Sequence, residues 1–253
     1  MKKLIVTRLS LDRNIKKSCR IWKLTLVTVA IIVLVNLALA YYINFVEKPI
    51  KTSAMGAIVR IVADNKTGTG FFVTDSYILT AAHVAGEVGE SVVIESEKAG
   101  TLDAKVVASG FREWSEFVVN ETEVRSGATE YDWAVLKIEG SNRRIKPLHL
   151  GSADIDAYQG ATVYLAGHPQ GQSLTLTKGI ISRVDSTGIY TDSEVDPGFS
   201  GGPMIVVAEG NKPESGVVVG ILISVPKNMN SIKTAVPIDV VMENCRRAGI
   251  NIQ

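Results

Sequence analysis

The sequence predicts an all-β domain, a sandwich or a pair of barrels, closed by one C-terminal helix and preceded by a membrane-crossing helix. Three observations carry that expectation. Short runs rich in Val, Ile and Thr recur between residues 56 and 225, with Gly, Asp and Asn turn signals between them. Beyond the N-terminal region only residues 238–248 read as a helix, opened by Pro237 and closed by Gly249. Residues 24–46 form a run of 23 without a charge, long enough to cross a hydrocarbon core of about 30 Å as a helix.

The charges divide at that run. Residues 1–23 hold eight Lys and Arg against Asp12 alone, whereas the part from Glu47 onward carries 19 basic and 25 acidic residues. The net charge of +1 therefore hides a basic tail and an acidic body. An acidic body argues against a nucleic-acid ligand, since phosphate binding rests on clustered Lys and Arg. The positive-inside rule keeps the basic tail in the cytoplasm, and Trp22 and Tyr41-Tyr42 suit the two interfaces. The expected division is a cytoplasmic tail at 1–23, a transmembrane anchor at 24–46, a linker at 47–55 and an exported domain at 56–253. Ala38-Leu39-Ala40 has the small-x-small form of a signal-peptidase site, so a cleaved signal peptide is the competing reading. The long basic region and long apolar run favour the anchor. The two cysteines, Cys19 and Cys245, lie on opposite sides of the membrane in this topology and do not pair within one chain.

Residues 56–63 read as a strand, 64–70 (DNKTGTG) as a turn, and 71–73 with 77–80 as a strand pair. Further strands are expected at 91–95, 104–108, 133–138, 161–166, 179–184, 204–208 and 217–225. The polar stretch 110–131 has no clear period and reads as a long loop. The 46% of apolar residues are ample for a buried core.

Chemistry concentrates at residues 196–203, Asp-Pro-Gly-Phe-Ser-Gly-Gly-Pro. A serine on a tight glycine turn suits a nucleophile, because glycine lets backbone N–H groups approach a substrate carbonyl. A serine hydroxyl needs a base, and an imidazole base needs an acceptor to set its tautomer. The histidines are His83, His149 and His168. His149 lies between two leucines and reads as a packed residue, and His168 in Gly167-His168-Pro169 as a turn residue. His83 follows an apolar strand and two alanines, where a bend presents the ring to a cleft. Asp132 directly precedes an apolar strand. Singly, each has a bland structural reading.

Together, Thr80-Ala81-Ala82-His83, Asp132-Trp133-Ala134-Val135-Leu136 and Gly198-Phe199-Ser200-Gly201-Gly202-Pro203 resemble the trypsin-like, chymotrypsin-fold serine proteases in their His, Asp, Ser order. Thr191-Asp192, the turn Gly167-His168-Pro169-Gln170-Gly171, Lys178-Gly179-Ile180-Ile181-Ser182 and Val219-Gly220-Ile221 bring the resemblance closest to the bacterial HtrA/DegS type. It covers nearly all of the exported part. It implies two six-stranded β-barrels with the active site between them and a closing helix. It further implies Ser200 as nucleophile, His83 as general acid and base, Asp132 as its support, and the N–H groups of Gly198 and Ser200 as the oxyanion hole.

Two departures stand out. Phe199 occupies the place where many digestive relatives carry an aspartate that pairs with a newly cut N-terminus, and where HtrA-type proteins usually have asparagine. Activation by N-terminal cleavage is therefore not expected, and whether the oxyanion hole is formed at rest is left open. The chain also ends at Gln253, shortly after the closing helix, so the PDZ domain of most HtrA-type proteins is not expected. For the primary pocket the resemblance points to Glu194, Val225 and Lys233. Val225 would make it shallow and Lys233 would neutralise Glu194, which favours small aliphatic side chains.

The expected activity is that of a membrane-anchored serine endopeptidase cleaving proteins outside the cytoplasm through an acyl-enzyme. The competing class is a catalytically silent binding or scaffold protein on the same fold, which Phe199 encourages and the complete His83, Asp132 and Ser200 set opposes. No cofactor or metal is expected, because no His/Cys/Asp/Glu cluster has ligand spacing. The expected partners are protein or peptide substrates and the membrane; homo-oligomer formation is left open.

Overall fold

The structure is a computed structural model that describes residues 2–43, 56–64, 66–110, 115–119, 122–126, 132–142, 144–151, 158–185, 188–207, 216–223 and 232–252. The chain parts into two compact units, Met1–Lys48 and Pro49–Gln253. The first contains the helix α1 (Lys2–Tyr41). Within it Arg20–Tyr41 is 22 residues long and contains an 18-residue window with a mean hydropathy of 2.4, enough to cross a membrane by length and composition. Its polar side chains turn back onto their own helix: Thr25 and Thr28 Oγ1 and Asn36 Nδ2 donate to the carbonyls of Ile21, Leu24 and Ile32. That arrangement leaves none of these three polar groups without a partner in an apolar surrounding.

The second unit holds two barrels. The first closes in the order β1 (Ile58–Ala63), β2 (Lys66–Phe72), β3 (Tyr77–Thr80), β8 (Trp133–Ile138), β5 (Gly100–Gly110) and β4 (Ser91–Ser96), with β4 returning to β1. The second runs β13 (Pro203–Val207), β10 (Thr162–Gly167), β11 (Thr175–Asp185), β12 (Gly188–Thr191), β15 (Lys233–Pro237) and β14 (Gly216–Ile223). Pairing of β13 with β14 closes it, and the short β9 (His149–Leu150) adds to β14 in parallel. Inward residues alternate with outward ones in β4, as a barrel wall requires. Ile61, Phe71, Ile78, Leu79, Ile94 and Leu136 are buried in the first barrel, and Val163, Leu165, Ile181, Met204, Val206 and Leu222 in the second.

The helix expected at 238–248 is α3 (Ile238–Arg247; the one-turn helix α2 is described below). It buries Ile238, Val241 and Cys245 along one face. It ends as a Schellman motif: Gly249, at φ +71°, donates to Arg246, and Ile250 N–H donates to the Cys245 carbonyl.

Two expectations are corrected. Residues 66–70 are not turn but the body of β2, paired with β1 from Phe71 back to Lys66. Their glycines serve close approach: a Cβ on Gly70 would stand 2.7 Å from Ile61 Cδ1, and one on Gly68 2.5 Å from Val84 Cγ1. The stretch 110–131 is not one long loop. It contains the hairpin β6 (Ser115–Val119) and β7 (Thr122–Ser126), paired in register from Ser115 with Ser126 to Val119 with Thr122. Strands β9, β12 and β15 fall where no strand is expected from the sequence.

Candidate active site

Antiparallel pairing of β3 with β8 sets Thr80 opposite Ala134. The residues just past the end of β3 and just before β8 therefore meet at the same barrel rim. Past β3 comes the one-turn helix α2 (Ala82–Ala85), which carries His83; before β8 comes Asp132. Asp132 grips His83 with both oxygens: Oδ2 lies 2.7 Å from the ring Nδ1, and Oδ1 accepts the His83 backbone N–H at 3.1 Å. A carboxylate only accepts, so Nδ1 carries the proton and Nε2 presents its lone pair. The Asp132 side chain is 9% exposed and that of His83 26%, which shields the bond from water while leaving the ring reachable.

Ser200 lies across β2 from that turn. A Cβ on Gly68 would meet both the Val84 side chain and, at 3.1 Å, the Ser200 carbonyl oxygen, so the serine turn and the residue after His83 converge on one glycine. Gly201, at φ +85°, sits so tightly on β2 and the end of β3 that a Cβ would stand 2.1 Å from the Thr69 carbonyl and 2.9 Å from Ala81 N. Among the described residues the Ser200 hydroxyl makes no hydrogen bond to His83.

Between Pro197 and Gly201 each peptide plane is held. Pro197 O accepts from Gln170 N at 2.7 Å, and Gly198 O accepts from Thr69 Oγ1 at 2.6 Å. Phe199 N–H donates to Asp196 O and Phe199 O accepts from Gly202 N. Ser200 O accepts from Thr69 N at 2.9 Å, and Gly201 N–H donates to Leu222 O at 2.7 Å. Among the described residues the N–H groups of Gly198 and Ser200 alone in this stretch donate to nothing. Because a trans peptide points its N–H opposite its C=O, the tie from Gln170 to Pro197 O sends the Gly198 N–H away from Gln170. Gly198 has φ +105°, and a Cβ on it would stand 2.3 Å from the His168 carbonyl. Gln170 itself is a non-glycine residue at φ +50°, a cost of about 1–2 kcal/mol at the turn that holds Pro197.

Phe199 points inward. It is 2% exposed and belongs to the core of the second barrel with Leu165, Ile181 and Met204. Hydrophobic burial, worth about 1.5–3 kcal/mol, anchors the serine turn where an ion pair would otherwise have to. The aromatic residue that marked a departure in sequence has a packing role.

The remaining expected residues fall as follows. His149, expected as a packed residue, instead lies exposed in β9, while its neighbour Leu148 is the buried one. His168 is buried, with its backbone N–H donating to Thr69 Oγ1 and its Nδ1 3.0 Å from the Gln172 carbonyl, the structural place its sequence suggested. Burial lowers its pKa, opposed by the Gln172 contact. Glu194 and the buried Lys233 line one cavity of about 650 Å³, together with Asp192, Asp196 and Phe199. Val225 lies outside the described residues. Thr69 was missed in the sequence; its one signal is Gly68-Thr69-Gly70, a polar residue between glycines in a strand.

Two closed six-stranded barrels, with a His–Asp pair at one barrel's rim and a serine turn docked against it, define the chymotrypsin-fold class. The chain belongs to the trypsin-like peptidase family: the profile of the Trypsin-like peptidase domain matches residues 68–221. A probable periplasmic serine endoprotease, DegP-like, of Pseudomonas fluorescens is 31% identical over 188 residues, covering 70% of this chain and 33% of that protein. The crystal structure of the serine endoprotease from Yersinia pestis superposes with a TM-score of 0.59 at 25% identity, over 80% of this chain and 67% of that one. A protease of M. tuberculosis in an inactive form shares the fold, with a TM-score of 0.58 at 19% identity over 81% of this chain and 94% of that one. The chain spans about a third of the length of the bacterial relatives it matches.

Proposed function

We propose that this protein is a membrane-anchored serine endopeptidase that cleaves proteins outside the cytoplasm. The observation that carries the reading is the double grip of Asp132 on His83 beside a serine turn whose two unpaired N–H groups flank Phe199. Ser200 Oγ attacks the scissile carbonyl and gives its proton to His83 Nε2. Asp132 stays ionised and stabilises the imidazolium, and the oxyanion is taken up by the N–H groups of Gly198 and Ser200. His83 returns the proton to the leaving amine, which yields the acyl-enzyme. Water, deprotonated by the same nitrogen, releases the acid and restores Ser200.

Residues 1–23 act as a cytoplasmic tail, 24–46 as the anchor, 47–55 as linker and 56–253 as the peptidase domain. The apolar stretch Arg20–Tyr41, the basic residues before it and the periplasmic naming of the Pseudomonas relative support this orientation. A mature N-terminus at Tyr41 in purified protein would refute the anchor. The preferred side chain before the cut bond is small and aliphatic, held by Glu194, Val225 and Lys233. The Lys233 ammonium on the same cavity as Glu194 supports this by opposing a substrate cation. A substrate library cut mainly after Lys or Arg would overturn it.

The deciding experiment pairs a fluorophosphonate probe with Ser200→Ala. The wild-type protein is labelled at Ser200 and hydrolyses fluorescein-casein; the variant does neither and melts at the same temperature. Undiminished hydrolysis by the variant refutes the assignment of Ser200, and an unlabelled, folded wild type points to the silent binding protein instead.

A further inference from the structure

We propose that Thr69, on β2 of the first barrel, is a positioning residue that holds the oxyanion loop in its working shape. The inference rests on reading Gly198 and Ser200 N–H as the oxyanion donors. Thr69 is fully buried and all its polar atoms are used. Its hydroxyl donates to Gly198 O at 2.6 Å and accepts from His168 N at 2.9 Å, while its backbone N–H donates to Ser200 O at 2.9 Å. Its carbonyl accepts from Thr80 Oγ1 at 2.7 Å, which fixes it to the strand leading to His83. One residue thus touches the backbone of both oxyanion donors and, through Thr80, the strand that leads to the base.

The hydroxyl does what no backbone group here can. A threonine hydroxyl has one proton, and here it is committed to Gly198 O, leaving its lone pairs to receive His168 N–H. His168 begins the turn whose Gln170 N–H holds Pro197 O, and that peptide plane carries the Gly198 N–H. The same hydroxyl therefore fastens the loop at Gly198 and the turn that aims its donor. Gly198, with no Cβ and φ +105°, has the freedom to rotate once released. Replacing the hydroxyl by a methyl keeps the shape of the site, leaves Gly198 O and His168 N without partners, and loosens the donor where charge develops only in the transition state.

The test compares wild-type full-length protein with Thr69→Val and Thr69→Ser, using fluorescein-casein hydrolysis and the rate of fluorophosphonate labelling. Thr69→Val lowers kcat and the labelling rate together by about 10- to 100-fold. Its KM stays within about twofold, as loss of a transition-state contact requires. Thr69→Ser keeps the hydroxyl and stays within about threefold of wild type, a rescue that packing alone does not provide. A folded Thr69→Val at wild-type kcat overturns the inference, as does a Thr69→Ser that falls as far as the valine variant. Should Thr69→Val fail to fold, the serine variant decides: retained kcat supports the role, and a drop of about tenfold or more overturns it. A wild-type protein that is neither labelled nor active refutes the peptidase reading itself and this inference with it.

Discussion

Phe199 fills the space that Gly167 leaves open: a Cβ on Gly167 would stand 2.8 Å from both Cα and Cγ of Phe199. The residue before Ser200 is thus seated on β10 of the second barrel by shape. Gly167→Ala overpacks that contact at a cost of about 1–3 kcal/mol and displaces the serine turn. The expected outcome is a lower melting temperature and a fall in casein hydrolysis larger than the loss of folded protein explains. Phe199→Ala costs about 3–5 kcal/mol in unfolding free energy. Urea melts of the two variants check both values, and an unshifted midpoint for Phe199→Ala would contradict the buried anchor.

Asp132 accepts both the ring and the backbone N–H of His83. Asp132→Asn keeps the size but offers an amide in place of one acceptor, which favours the wrong tautomer at Nδ1. Loss of that orientation costs about 10,000-fold in kcat in serine triads. Steady-state kinetics with casein reads the effect, and a loss below about tenfold would remove Asp132 from the proposed role.

Burial lowers the His168 pKa, partly opposed by the Gln172 carbonyl at Nδ1 and by Glu97 and Glu95, and reinforced by Arg60. The unfolded chain therefore takes up a proton at a higher pH than the folded one. Stability from this group is present above the unfolded value of 6.5 and is lost as pH falls through it, because the unfolded state binds more protons there. The melting temperature is expected to drop between about pH 7.5 and pH 5.5, and His168→Asn to flatten that drop. Calorimetry at the two pH values tests it, and a slope unchanged in the variant would assign the effect elsewhere.

Cys245 is buried on the inner face of α3, and burial pushes its thiol pKa up to about 11. In a Cys19→Ser protein it is the sole thiol. A disulfide reagent is expected to react with it only as fast as the domain opens, and stoichiometrically once the chain is unfolded. Rapid modification of the folded protein would contradict its burial.

Much of the fold was legible in local pattern. Strand 133–138 and the helix from Ile238 coincide with their expected starts, because β-branched runs and Pro237 act through their own backbones. The glycine-rich residues 66–70 misled, since glycine marks both a turn and a strand pressed against another wall. The site divides in the same way. The motifs around His83, Asp132 and Ser200 are contiguous in sequence, so their residue types and order were readable.

What the sequence alone determined is which residues can do chemistry: a base, an acid, a hydroxyl and the glycines around it. Only the tertiary structure decided how they are held. The β3–β8 register carries His83 to Asp132, Phe199 becomes a core residue, and Thr69 reaches Gly198 from 129 positions away. Such contacts leave no periodic trace, because barrel closure brings together side chains whose positions along the chain bear no relation to one another.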